Sequence, residues 1–134
     1  MRIKWIVAAS VAVVLALGVA LALRLRGESA EHQVRRHFDI SGTLDTVTLR
    51  EAVLREVPLG SPESRLARFA ARRHLGADGA SVYRPSLRGE PAVIRFDEKP
   101  PLLDPVFESW IIAFEFDDAR RLREVRVRRA LTGP

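Results

Sequence analysis

The chain has 134 residues, room for one small core plus appendages, and a formal charge of +5. Arg2, Lys4, Arg24 and Arg26 hold four of its 22 basic residues, leaving 18 against 17 acidic ones, so the excess charge belongs to the amino-terminal segment. With no cysteine, the composition excludes a disulfide, a thiolate metal site, a cysteine nucleophile and a lipidated amino-terminal cysteine.

Trp5 to Leu23 is an uncharged, mostly apolar run. As a helix at about 1.5 Å per residue it spans roughly 28 Å, close to the hydrocarbon thickness of a bilayer. Arg2 and Lys4 before it and Arg24 and Arg26 after it suit the two head-group layers, with Trp5 as an interfacial aromatic. The rival is a cleaved signal peptide, since Ala20-Leu21-Ala22 has an A-x-A pattern. Length and the arginines that would follow the cut favour an uncleaved anchor over residues 1–26. Ala8, Ala12, Ala16 and Ala20 recur every fourth residue, a shallow ridge for self-association or for a partner's helix. Arg24, Arg26, Arg35 and Arg36 outnumber Arg2 and Lys4, a weak charge bias toward a cytoplasmic carboxy-terminus.

Residues 27–47 read as a juxtamembrane stalk or linker, with Ala30, Val34 and Phe38 at i, i+4 and i+8 as though the membrane helix continued. His32 and His37 are five apart, so on a helix their rings point about 140° from each other and cannot share an ion.

Residues 48–134 read as the folded domain. Thr48 and Glu51 have capping-box spacing and open a helix to about Val57, with Leu49, Ala52, Val53 and Val57 on one face. Pro58 and Gly60 stop it. Ser61 as N-cap, Pro62 and Glu63 start a second helix with Leu66, Phe69 and Ala70 as its apolar stripe, closed at Gly76. Its wet side carries Arg65, Arg68, Arg72 and Arg73, but no interleaved aromatic offers bases a platform, so nucleic acid is not expected as a partner.

After Gly79 the period changes from 3.6 to 2. "ASVYRP" and "AVIRF" are short strands, and "DEKPPLLDP" is a proline-stiffened loop. Trp110, Ile112, Phe114 and Phe116 alternate along a third strand, Asp117 to Arg120 turn the chain, and Val125 and Val127 face inward on a fourth. The expected fold is α+β: a transmembrane helix, then two helices packed on an antiparallel sheet of about four strands.

Two stretches, "VPLGSPESRLARFAA" and "ESWIIAFEFDDARRLREVRV", resemble the BamE/SmpA–OmlA group of bacterial cell-envelope proteins. That resemblance, over about residues 48–130, implies a periplasmic domain that binds other proteins without catalysis. The chain departs from the group's lipoprotein pattern in having a membrane helix in place of the acylated cysteine.

Glu108, Glu115, Asp117 and Asp118 are the only grouping from which a catalytic or metal site can be built. On the third strand Glu115 and Asp117 share the face opposite Phe114 and Phe116, the wet face of a two-layer fold, where Arg123, Arg126 or Arg128 can pair with them. No serine sits in a nucleophile elbow, and neither a Gly-rich phosphate loop nor a helical His pair calls for a cofactor or metal. The expected function is therefore a single-pass, membrane-anchored protein-binding or structural module of the bacterial inner membrane, its domain periplasmic and its protein partner unidentified. Leu102, Leu103 and Phe107, outside the clear alternation, form the candidate partner patch; a loop tucked over the sheet edge is the rival reading. The alternatives are a small membrane-tethered enzyme using the acidic hairpin and a secreted, inhibitor-like domain released by signal cleavage.

Overall fold

A computed structural model of the chain describes residues 2–25, 29–77, 81–98 and 107–132. The first helix, α1, covers Arg2–Leu25 and is long and apolar enough to cross a membrane. None of its Arg2–Leu21 span is buried against the rest of the protein, so Ile3, Trp5, Val14 and Leu17 face outward. Ser10, a polar residue within the span, returns its hydroxyl proton to the Ile6 carbonyl at 2.8 Å.

The next segment corrects the stalk reading. A separate helix, α2 (Ala30–Phe38), starts at Ser29, whose Oγ accepts the His32 N–H, and ends at Asp39 in the left-handed conformation (φ 58°). Its Ala30, Gln33, Val34, His37 and Phe38 are buried. The Phe38 ring lies 5.8 Å from Phe69 and edge-on to Phe96, and Gln33 Nε2 donates to the Asp97 carbonyl. The i, i+4, i+8 apolar triplet is thus the core-facing stripe of a third domain helix, each large side chain contributing about 1.5–3 kcal/mol by burial.

The capping box of helix α3 (Thr46–Glu56) opens three residues before the expected one. Asp45 is its N-cap: its carboxylate accepts the Thr48 N–H, and Thr48 Oγ1 accepts the Asp45 N–H. Thr48 therefore closes the box as its third residue, and the donated N–H holds the Asp45 carboxyl below the usual carboxylate range. Leu49, Ala52, Val53 and Val57 are buried as the spacing requires.

The helix α4 (Glu63–Arg72) buries Leu66, Phe69 and Ala70. Its N-cap is Pro62, without a side-chain cap, so Ser61 does not cap it. Residues 60–63 are instead drawn alongside the final hairpin: Gly60 N–H donates to Leu122 O at 2.7 Å and Leu122 N–H to Ser61 O at 2.8 Å, with a bridge between Pro62 and Arg121. The helix also closes earlier than expected, at Arg72, with His74 and Gly76 at positive φ in the turns that follow.

Four strands form an antiparallel meander: β1 (Ser81–Arg84), β2 (Ala92–Asp97), β3 (Phe107–Phe116) and β4 (Leu122–Thr132), in the order β1-β2-β3-β4. Ala92, Ile94, Phe96, Trp110, Ile112 and Phe114 point to the helical layer and complete the core. Phe116 and Val127 are only partly buried. A register shift between Glu115 and Phe116 pairs Phe116 with Leu122 and Glu115 with Glu124. The extra residue, Arg123, lets both Leu122 and Val125 turn inward, which strict alternation forbids.

Candidate functional site

The final hairpin separates its four acids by role. Glu108 lies at the core-facing end of β3, where Arg129 grips it through Nε at 2.7 Å and Nη2 at 2.9 Å. The same carboxylate accepts the Trp110 indole N–H at 2.9 Å, and the Arg129 guanidinium sits 5.6 Å from the Trp110 ring centre. Planar guanidinium, carboxylate and indole thus close one end of the core, and Glu108 raises the Arg129 pKa by that hydrogen bond and by its charge.

Glu115 crosses the hairpin to Arg123 at 3.3 Å and Arg126 at 3.7 Å. Asp117 makes the turn: its Oδ1 accepts the backbone N–H groups of Ala119 and Arg121, and Arg120 takes positive φ. The turn is then bolted to the α3–α4 loop by Arg121 Nη1 to the Gly60 carbonyl and by the Arg120–Glu63 ion pair. Asp118 is exposed at the tip. A cavity of about 400 Å³ runs beside these residues, lined by Glu90, Glu115, Asp117, Asp118, Arg120 and Arg123. Among the described residues no group of His, Asp or Glu is placed to hold a metal ion.

The three arginines of α4 and the Arg73 at its C-cap divide likewise. Arg65, Arg68 and Arg72 line a groove of about 410 Å³ over Ala71. Arg73 instead folds back as a strut, donating to the His37 carbonyl at 2.9 Å, pairing with Glu56 at 3.2 Å and lying over Phe69. His37 packs against Phe96, while His32 is exposed.

Ala8, Ala12, Ala16 and Ala20 all lie on α1 and are exposed. Of the loop patch, Leu102 and Leu103 lie outside the described residues, and Phe107 is the half-buried first residue of β3, opposite Thr132.

One surface escaped the sequence reading. As last strand of the meander, β4 has an outer edge that no further strand covers among the described residues. Arg50 Nε on α3 donates to the Val125 carbonyl at 3.0 Å, which shows that this carbonyl points away from β3. Alternation sends the N–H and C=O groups of Val127, Arg129 and Leu131 the same way. Beside that edge a groove of about 460 Å³ is lined by Thr46, Val47, Arg50, Glu51, Val125, Arg126 and Val127. The signal available in the sequence was the order of elements, since a meander's final strand has no later strand to cover it.

Comparison with protein-family models, curated proteins and solved structures finds no match for this chain.

Proposed function

We propose that the protein is a single-pass, membrane-anchored protein-binding module of the bacterial cell envelope, its domain periplasmic and not catalytic. The observation that carries this reading is the use made of the hairpin's polar residues: Glu108, Glu115 and Asp117 are engaged in ion pairs and turn hydrogen bonds that hold the fold together. An acid or base in catalysis must be available to a substrate, whereas these groups are tied to arginines and backbone amides. Support for the anchor comes from α1, whose Arg2–Leu21 span is unburied among the described residues. The resemblance of residues 48–130 to the BamE/SmpA–OmlA group favours the envelope and the periplasmic side. The test is crosslinking of the full chain in native bacterial membranes, with identification of what is captured. A defined envelope protein is expected; crosslinks to lipid alone would refute the binding role. A mature amino-terminus at Leu23 would replace the anchor with a secreted domain.

A further inference from the structure

The edge of β4 is unusual in what it leaves open. At its start the backbone is satisfied by Gly60 and Ser61, and at Val125 by Arg50. From Val127 to Leu131 no described residue pairs with the outward N–H and C=O groups, and Leu131 is 74% exposed. An unpaired strand of this length is a template for another strand.

The side chains along it choose the occupant. Arg126 and Arg128 project on the open face of the sheet, and Arg50 and Arg129 stand on the helix-covered side. Arg126 pairs with Glu115 and Glu124, and Arg129 with Glu108, but Arg128 has no ion pair among the described residues. A second copy pairing antiparallel along β4 would bring two arginine rows together in a sheet whose neighbouring strands are about 4.8 Å apart, an unfavourable like-charge arrangement. An acidic strand is complemented instead. On the other side the groove presents Val47, 61% exposed, beside Val127, which suits aliphatic side chains at every second position.

From this geometry we infer that the β4 edge from Val127 to Leu131 accepts an extended, acidic segment of a partner protein as a fifth antiparallel or parallel strand, with its acids on Arg126 and Arg128 and its aliphatic residues against Val47 and Val127. The inference rests on the protein-binding role proposed above and gives it a surface and a partner chemistry.

The test uses the full chain in detergent micelles with two synthetic octapeptides, one alternating Glu with Val and Thr, the other carrying Lys in place of Glu. The acidic peptide is expected to bind more tightly than about 1 mM, and the lysine peptide at least tenfold more weakly. Binding should slow hydrogen exchange at the amides of Val127, Arg129 and Leu131. Val127→Pro removes an outward N–H without touching the ladder to β3, and should weaken binding at least tenfold. Arg128→Glu should weaken it at least fivefold. Equal binding of both peptides, unchanged binding by either variant, or no added protection of the three amides overturns the inference. Should the proline variant not fold, the exchange pattern of the unmodified chain decides. Protection at these amides without peptide, rising with chain concentration, would mean a second copy occupies the edge, and also overturns it. Failure here with a protein still captured in native membranes removes strand addition alone; failure of both removes the binding role as well.

Discussion

Asp117 and Asp118 are chemically identical neighbours in opposite circumstances. Asp117 accepts two backbone N–H groups, from Ala119 at 2.9 Å and Arg121 at 3.0 Å, and so fixes the turn that the Gly60–Leu122 bond then anchors. Asp118 projects into solvent from the tip. Replacing Asp117 with Ala should therefore cost about 1 kcal/mol or more through the orphaned amides, whereas Asp118→Ala should stay within about 0.5 kcal/mol. Denaturant titration of the two variants side by side reads the difference. Equal effects would mean that the turn does not depend on the Asp117 acceptor. Asp117→Asn should recover much of the loss, because the amide oxygen still accepts, and that rescue separates a turn former from a charged acid or base. The same logic applies to Arg73, the C-cap of α4, and Arg68 within it: one is a strut to His37 and Glu56, the other lines the groove over Ala71 with no ion pair among the described residues, and nothing in their residue type distinguishes them.

Among the elements, α2 has the largest consequence. A stalk would tolerate a charge at Val34, but Val34 is fully buried against the sheet and its neighbour Phe38 touches Phe69 and Phe96. Val34→Asp is expected to unfold the domain or to destabilise it by about 3 kcal/mol or more, since it buries an unpaired carboxylate. Loss of the cooperative transition by circular dichroism checks this, and a variant as stable as the parent would return residues 30–38 to a linker. Most of the fold was legible in the sequence because its signals are local: the period-2 run through Trp110, Ile112 and Phe114, the stripe Leu66, Phe69 and Ala70, and the stop at Pro58. The rest depended on contacts distant in sequence. That α2 packs into the domain was hidden by its polar composition, with only Ala30, Val34 and Phe38 apolar on the buried face, and its partners in β2 and β3 lie more than fifty residues away. The displaced start of α4 follows from the bridge between Pro62 and Arg121, and the inward Leu122 from the register shift at Glu115/Phe116. Of the candidate site residues, the carboxylates were placed on the correct hairpin, but the open β4 edge requires knowing the sheet order.

For the whole molecule the decisive link is the short tether between α1 and α2. From Leu25 to Ser29 the backbone can reach at most about 15 Å, so a membrane-spanning α1 would hold the start of α2 close to the bilayer. Within the domain, α2 lies near the sheet end that holds Asp97, Glu108 and Arg129, as its Gln33–Asp97 bond and the strand register show. The strand β3 runs from that end to the Asp117 turn over ten residues, roughly 34 Å of extended chain. Asp118 is therefore at the end of the domain opposite the tether, an unobstructed position from which to ask on which side of the membrane the domain lies. The charge flanks favour the cytoplasm weakly, and the family resemblance favours the periplasm. Because the chain has no cysteine, Asp118→Cys creates a single thiol at an exposed position that no described hydrogen bond uses. Intact spheroplasts treated with a membrane-impermeant maleimide should label this variant fully if the domain is periplasmic. Labelling that requires lysis would put the domain in the cytoplasm, and the envelope role would fall with it; a labelled protein found in the medium would show that α1 had been removed as a signal sequence. The tip position keeps these outcomes readable, since neither the bilayer nor a strand added at β4 would shield the thiol.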